Sequence, residues 1–115
     1  MKKLAAFSAP ILPGKTDQWL KFIGELNGAK SAQFKESRKK HNVRERTFLQ
    51  KTPHGDFVIV TLKGDDPMAG FAAFASAHDE FTDWFVKEVQ EIHGFNLREM
   101  SAAPMPEMII DSGEV

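Results

Sequence analysis

Gly64-Asp65-Asp66-Pro67 separates a strand pattern from a long helical pattern and decides the order of elements in this chain. Asp66 can accept hydrogen bonds from the free amides of a helix start, and Pro67 suits the first helical position because no N–H is needed there. Before this stretch, residues 56–63 (DFVIVTLK) carry apolar side chains on both faces, which predicts a strand covered on both sides. After it, an aromatic-rich pattern predicts helix as far as Gly94, which suits a left-handed C-cap.

Outward from this junction, the chain shows further short segments with the period of a strand or a helix. Strand patterns lie at residues 3–11, 43–51 and 107–111 (EMIID, a possible edge strand), and helical patterns at residues 16–26 and 31–41 and again after Pro67 and Asp79. Residues 43–51 are joined to residues 56–63 by a turn that contains Pro and Gly, which predicts an antiparallel hairpin. Thr16 or Asp17 is predicted to cap the first helix.

The resulting order is β-α-β-β-α-β, with each helix in two pieces. This is the order of a ferredoxin-like α+β sandwich, in which helices cover one face of a single sheet. The other apolar face of residues 56–63 then needs a second cover, and the same sheet of another copy of the chain supplies one. We therefore predict a dimeric α+β barrel built from a single domain over residues 1–115, with residues 103–115 as an extended C-terminal arm or edge strand.

Composition excludes several classes of partner and chemistry. The 115 residues are 42% hydrophobic and 27% charged, as expected for one globular domain. The 15 basic and 16 acidic residues give a net charge of -1, so no overall field attracts nucleic acid or an anionic membrane. Cysteine is absent, which removes disulfides and thiolate chemistry. The Met1-Lys2-Lys3 start lacks the apolar stretch of a signal peptide, and we expect a cytoplasmic protein.

Four segments carry a resemblance to a known superfamily. They are Ile11-Leu12-Pro13-Gly14-Lys15, Arg44-Glu45-Arg46 with Phe48-Leu49-Gln50-Lys51-Thr52-Pro53, Gly64-Asp65-Asp66-Pro67, and Trp84-Phe85 with Glu91-Ile92-His93-Gly94. From residue 3 to residue 111 the chain resembles the dimeric α/β-barrel proteins, which include the antibiotic-biosynthesis-type monooxygenases, and more closely a set of small uncharacterised bacterial proteins of that fold.

The resemblance implies a homodimer, but it does not imply one activity. The superfamily contains cofactor-free oxygenases, haem-degrading enzymes, isomerases and sugar mutarotases, and fold alone does not select among them. Its haem-degrading members pair a helical histidine with an asparagine near the chain start, and no asparagine precedes Asn27 here. We therefore expect no cofactor, and no catalytic set is carried over from the superfamily.

His93 is the first candidate for a functional residue. It lies in the last turn of the long helical pattern, one residue before Gly94. A histidine there can act as a general acid or base near neutral pH, or as a haem or metal ligand. Alternatively, it is a helix-ending cation favoured by the helix dipole, or a ring bonded to nearby backbone.

Arg44 and Arg46 are the second candidates, because residues two apart share one face of a strand with Phe48. Two guanidinium groups on one face can bind a carboxylate or a phosphate, with Arg46 polarising an oxyanion. Alternatively, both are solvated or form contacts between subunits. The nearby basic run at residues 35–44 contains Arg38 and Lys39 and is interpreted as a solvated helix face, since it lacks the stacking aromatics of single-strand binders.

Trp19, Trp84 and Phe85 lie on helical apolar stripes and are predicted to line a pocket between the helices and the sheet, together with Phe48 and Arg44. The four histidines have no metal-binding spacing, so no metal site is predicted.

Two classes of function remain. One is a cofactor-independent monooxygenase or isomerase that uses His93 and Arg46. The other is a non-catalytic module for binding a small organic molecule or for dimerisation. A pocket below about 300 Å³, the lower end of ordinary ligand sites, favours the second class.

Overall fold

The computed structural model describes residues 2–101 and 103–114 as an α+β domain. Its elements are, in chain order, β1 (Lys3–Pro10), α1 (Thr16–Asn27), α2 (Ser31–Lys40), β2 (Arg44–Thr52), β3 (Gly55–Gly64), α3 (Pro67–Ser76), α4 (Glu80–His93) and α5 (Leu97–Met100). None of the helices in the described part has the length and apolarity needed to cross a bilayer.

The three strands form one antiparallel sheet in the order β1-β3-β2. The predicted hairpin is confirmed: β2 and β3 pair antiparallel with Thr47 opposite Val60. On the other side of β3, Phe7 of β1 lies opposite the same Val60. The strand with the most apolar sequence is therefore the central one, where both of its edges are hydrogen-bonded.

The predicted last strand at residues 107–111 is wrong for the described chain. Residues 104–114 form no strand there, and Met108, Ile109 and Ile110 are 54%, 82% and 87% exposed. Apolar composition favours a strand only when a neighbouring backbone completes the ladder of hydrogen bonds. Within the described residues β1 pairs with β3 alone, so its other edge is open and the C-terminal arm does not fill it.

The predicted starts and ends of the later helices are confirmed. Asp66 Oδ1 accepts a hydrogen bond from the Ala69 amide at 3.1 Å, and Pro67 is the first residue of α3. Asp79 caps α4 in the same way, through the Thr82 amide at 2.8 Å. Gly94 ends α4 with a left-handed φ of 78°. These caps depend only on neighbours in sequence, which is why the sequence predicts them.

The start of α1 differs from the prediction. Lys15 is the N-cap residue, and no side chain caps the helix. Thr16 instead donates its hydroxyl hydrogen to Asp56 Oδ2 at 2.6 Å. A contact with β3, 40 residues further along the chain, has replaced the expected local one.

The helices pack on one face of the sheet and bury one side of each strand. The core on this face includes Phe7, Ala9, Val58, Val60, Leu62, Trp19, Phe22, Leu26, Phe71, Phe74, Phe85, Val89 and Ile92. The rings of Phe7 and Phe71 stack with centroids 5.5 Å apart, which joins β1 to α3. Burial of each large apolar side chain contributes about 1.5–3 kcal/mol, so this face holds the fold together.

The other face of the sheet carries no helix in the described part of the chain. Arg44, Arg46 and Phe48 of β2 are exposed on it, and Phe57 and Ile59 of β3 are half-buried. The shared face predicted for Arg44, Arg46 and Phe48 is therefore confirmed, and Glu45 and Thr47 point toward the helices. We predicted that the sheet of a second copy of the chain covers this face, and that dimer stays a proposal.

A substitution at Gly70 tests how closely α3 packs against His41 and Val43, which precede β2. A Cβ at Gly70 would overlap Val43 Cγ1 and would lie 2.8 Å from the His41 carbonyl oxygen. We expect Gly70→Ala to destabilise the protein by about 1–3 kcal/mol through overpacking, although alanine is the better helix former. Urea unfolding measures the change.

Gly24→Ala is the matched control, because nothing lies within 4 Å of a Cβ at this exposed position of α1. Here helix propensity acts alone, and we expect stabilisation by about 0.5–1 kcal/mol. Equal effects of the two substitutions would contradict the close approach at Gly70.

Candidate functional site

An apolar cavity of about 230 Å³ lies between the helices and the sheet. The sheet contributes Phe7, Ala9, Val58, Val60 and Leu62 to its wall, and the helices contribute Trp19, Phe22, Ile23, Leu26, Phe34, Phe71, Phe74, Phe85 and Val89. The polar residues of the lining are Asn27, Glu45, Thr47 and His93. Such a lining, mostly apolar with a few polar groups, is typical of sites for small organic molecules.

The volume restricts the size of a ligand. At about 230 Å³, the cavity is below the roughly 300 Å³ at which ordinary ligand sites begin. It is larger than the apolar cavities of about 150 Å³ that admit benzene. A molecule with one ring therefore fits, and a fused-ring polyketide does not. Because its volume is below about 300 Å³, the cavity favours a non-catalytic function over a catalytic one.

His93 lies at one end of the cavity lining. Its Nδ1 is 2.8 Å from the Pro10 carbonyl oxygen, and because a carbonyl only accepts, Nδ1 carries the proton. Nε2 of the neutral ring is then a free acceptor or base. Burial lowers the pKa of His93 below its ordinary value, although the bond to Pro10 acts in the opposite direction. Of the alternatives considered for His93, the ring bonded to backbone is the one observed.

Glu45, at the other end of the lining, belongs to a buried ion pair. Arg38 of α2 donates from Nε to Glu45 Oε1 at 2.8 Å, and both side chains are at least nine-tenths buried. Arg38 Nη1 also donates to Ser37 Oγ at 2.9 Å. Thr47 donates to the second oxygen of Glu45 at 3.3 Å. The interpretation of Arg38 as part of a solvated helix face is therefore wrong.

The two polar ends are well separated along the sheet. His93 meets Pro10, which pairs with Phe57, whereas Glu45 pairs with Leu62. Phe57 and Leu62 are five residue steps apart along β3, which corresponds to about 17 Å at about 3.4 Å per residue. A one-ring ligand therefore contacts one end or the other, and not both.

The structure brings together only part of the predicted site. Trp19 and Phe85 line the cavity with His93. Trp84 packs beside it, with its ring 5.3 Å from that of Phe22 and the Lys30 ammonium 4.7 Å above it.

Arg44, Arg46 and Phe48 lie on the opposite face of the sheet. The predicted pairing of His93 with Arg46 is not formed, because strand parity places Arg46 on the far side of the sheet. Among the described residues, no cluster of three or more His, Asp or Glu side chains forms a potential metal site.

Arg38 and Glu45 are functional candidates that the sequence interpretation missed. The sequence did indicate where Glu45 lies, since the alternation of β2 places its side chain on the face opposite Arg44. For Arg38 the signal was its spacing of four from Phe34, which puts both on one face of α2. Neither pattern shows that these two side chains meet, because that depends on how α2 packs against the sheet.

Compared with known protein families, with curated proteins and with solved structures, the chain matches none of them. The candidate site therefore stands on its own geometry.

The protonation of His93 makes stability depend on pH. Because the folded-state pKa lies below the ordinary 6.5, the unfolded chain binds more protons between these two values. The contribution is fully present above pH 6.5, and it is lost as the pH falls from 6.5 through the folded-state pKa. We expect His93→Gln to flatten this part of the curve of unfolding free energy against pH, measured by urea unfolding between pH 8 and pH 5.

His41 also makes the unfolding free energy depend on pH, because burial and the nearby Lys40 lower its pKa. Its contribution is similar in wild type and in His93→Gln. The difference between wild type and His93→Gln therefore isolates His93. Identical curves would contradict a buried, neutral His93. Nitrogen chemical shifts of the imidazole check that Nδ1 carries the proton.

Proposed function

We propose that the protein binds a small organic molecule of about one ring in the cavity between the helices and the sheet. The observation that carries this proposal is the cavity itself, which is about 230 Å³ and lined mostly by aromatic and aliphatic side chains. Natural cores contain few voids larger than a water molecule.

The energetic cost of such a void supports a bound molecule. At about 24 cal/mol per Å³, a fully enclosed empty space of this volume would cost about 5.5 kcal/mol, and because this cavity is partly open to solvent that figure is an upper limit. Because a larger side chain at Ala9 or Val60 would remove much of the cost, the retained space points to an occupant.

Proton-transfer catalysis at His93 is the second candidate function. Its specific support is the Nδ1 bond to Pro10, which orients the ring and leaves Nε2 as the base. It matches the cofactor-independent monooxygenases and isomerases of the superfamily that the sequence resembles. Binding without catalysis is preferred, because Arg46 lies on the other side of the sheet and cannot stabilise an oxyanion near His93.

A cavity-filling variant tests the binding role. Ala9 is 3% exposed and lines the cavity, and Ala9→Leu adds three carbon atoms there. We expect this variant to lower the affinity for toluene at least about tenfold while keeping the protein folded, as filled cavities are stabilising. Titration calorimetry measures the affinity.

Ala32→Leu makes the same change on the exposed surface of α2 and serves as the control. It should leave toluene binding unchanged. The binding role is contradicted if wild-type protein takes up no toluene, or if Ala9→Leu binds it as well as wild type.

The uncovered face of the sheet supports a homodimer as part of the same proposal. Phe48 is 53% exposed in the middle of that face, next to the half-buried Ile59 and opposite the helices. A second copy packed on this face covers both side chains and gives the dimeric barrel expected from the resemblance. The shared interface is isologous, because each copy presents the same patch.

Ile59→Asp tests this interface. A carboxylate at the centre of an apolar interface is desolvated without a partner, so we expect the dissociation constant of the dimer to rise at least about a hundredfold. Sedimentation equilibrium measures the mass.

Leu20→Asp places the same charge on the exposed side of α1, where Leu20 is 47% exposed, and should leave the mass unchanged. A wild-type protein that is monomeric at micromolar concentration would overturn the dimer without affecting the binding role.

A further inference from the structure

Arg38 has more hydrogen-bond donors than the described protein residues satisfy. A guanidinium carries five N–H groups, two of them on Nη2. Nε and Nη1 meet Glu45 and Ser37, but Nη2 is fully buried and has no hydrogen-bond partner among the residues that the structure describes. A buried donor without an acceptor is costly, and such a group in a folded protein calls for an explanation.

The surroundings of Arg38 connect it to the cavity. Its guanidinium carbon lies 3.8 Å from the ring centroid of Phe74, 4.8 Å from that of Phe85 and 4.9 Å from that of Phe34. These three rings and Glu45 all line the cavity. Arg38 itself is not part of the lining: it lies directly behind these four residues, held by aromatic faces that stabilise its charge but accept hydrogen bonds poorly.

A basic groove lies on the outer side of the same wall. It is lined by Lys35, Arg38, Lys39, Arg44 and Lys63, and by Lys2, whose ammonium is 3.3 Å from Asp65. Glu45 is the one carboxylate in this lining, and it is already paired with Arg38. Clustered cations of this kind raise the local concentration of small anions.

The cavity and the basic groove share two lining residues, Phe34 and Glu45. Phe34 is half-buried and lines both spaces, so a ligand in the cavity would reach the buried Nη2 of Arg38 only if the Phe34 ring turned aside. Apolar space on one side of Arg38 and positive charge on the other match a ligand with an apolar ring and an anionic group.

We infer that the ligand is a one-ring aromatic carboxylic acid, bound as the carboxylate with its ring in the cavity and a carboxylate oxygen accepting from Arg38 Nη2. This inference rests on the binding role proposed above and adds the chemical class of the ligand and the residue that recognises it. It also places the ligand at the Arg38 end of the cavity, away from His93.

Three probes separate the contributions to binding. Toluene reports on the cavity alone, benzamide adds a neutral carbonyl oxygen, and benzoate adds the negative charge. We expect wild-type protein to bind benzoate about 10- to 100-fold more tightly than benzamide, the range for hydrogen bonds to charged groups. The preference should shrink as salt is added, because the groove charges are screened.

Two variants change the affinity for benzoate in opposite directions. Arg38→Lys keeps a cation for Glu45 but removes Nη2, and it should abolish the preference for benzoate over benzamide. Glu45→Gln keeps Arg38 and removes the negative charge beside the ligand, and it should strengthen benzoate binding several-fold. Arg46→Lys makes the matched change on the exposed outer face and should have no effect.

The outcomes distinguish this inference from the proposed function. If toluene binds but benzoate has no advantage over benzamide, the carboxylic acid is wrong and the binding role stands. If benzoate is preferred and neither Arg38→Lys nor Glu45→Gln alters the preference, Arg38 is not the recognising residue. If no probe binds, both proposals are overturned. Should Arg38→Lys fail to fold, the wild-type preference and Glu45→Gln still decide the question.

Discussion

The burial of Val58, Val60 and Leu62 beneath the helices is the constraint on which the rest of this structure depends. These residues of the central strand all point to the same side, and burial of each contributes about 1.5–3 kcal/mol. Because these three residues face the helices, the register of β1 and β2 on β3 fixes which residues of β1 and β2 also face the helices. A slip by one residue would turn Arg44 and Arg46 into the core, at a large cost in desolvation. The position of the candidate site is therefore a consequence of sheet parity.

The same parity creates the polar features of the cavity. Glu45 and Thr47 lie opposite Leu62 and Val60, so they are carried into an apolar space together with them. A buried carboxylate needs a partner, and α2 supplies Arg38. Replacement of such a pair by apolar side chains is often neutral or stabilising, so stability alone does not account for its presence next to the cavity. Nη2 of Arg38, which has no hydrogen-bond partner among the described residues, agrees with the proposed binding of an anion.

The cavity also limits what the protein can do chemically. His93 is half-buried and Arg38 is buried in the same layer, yet the residues that they bond to, Pro10 and Glu45, lie at levels of the sheet about 17 Å apart. A small ligand that binds near Arg38 does not reach His93, and one that binds near His93 does not reach Arg38. Recognition of an anion at Arg38 and proton transfer at His93 are therefore competing accounts of the site, and the size of the cavity favours recognition.

The sequence alone determined those features that depend on neighbours along the chain. Asp66 and Asp79 bond to amides three residues away, Gly94 adopts a conformation that glycine tolerates best, and the alternation of residues 56–63 follows from strand geometry. Thus the α+β class, the hairpin, the helix boundaries after Gly64 and the two faces of β2 could all be predicted. Only the tertiary structure decided that Arg38 meets Glu45, that His93 meets a carbonyl 83 residues earlier, and that the apolar residues near the C-terminus form no strand. Those outcomes depend on how separate elements pack, and pairing between distant parts of the chain leaves no periodic signal in either partner.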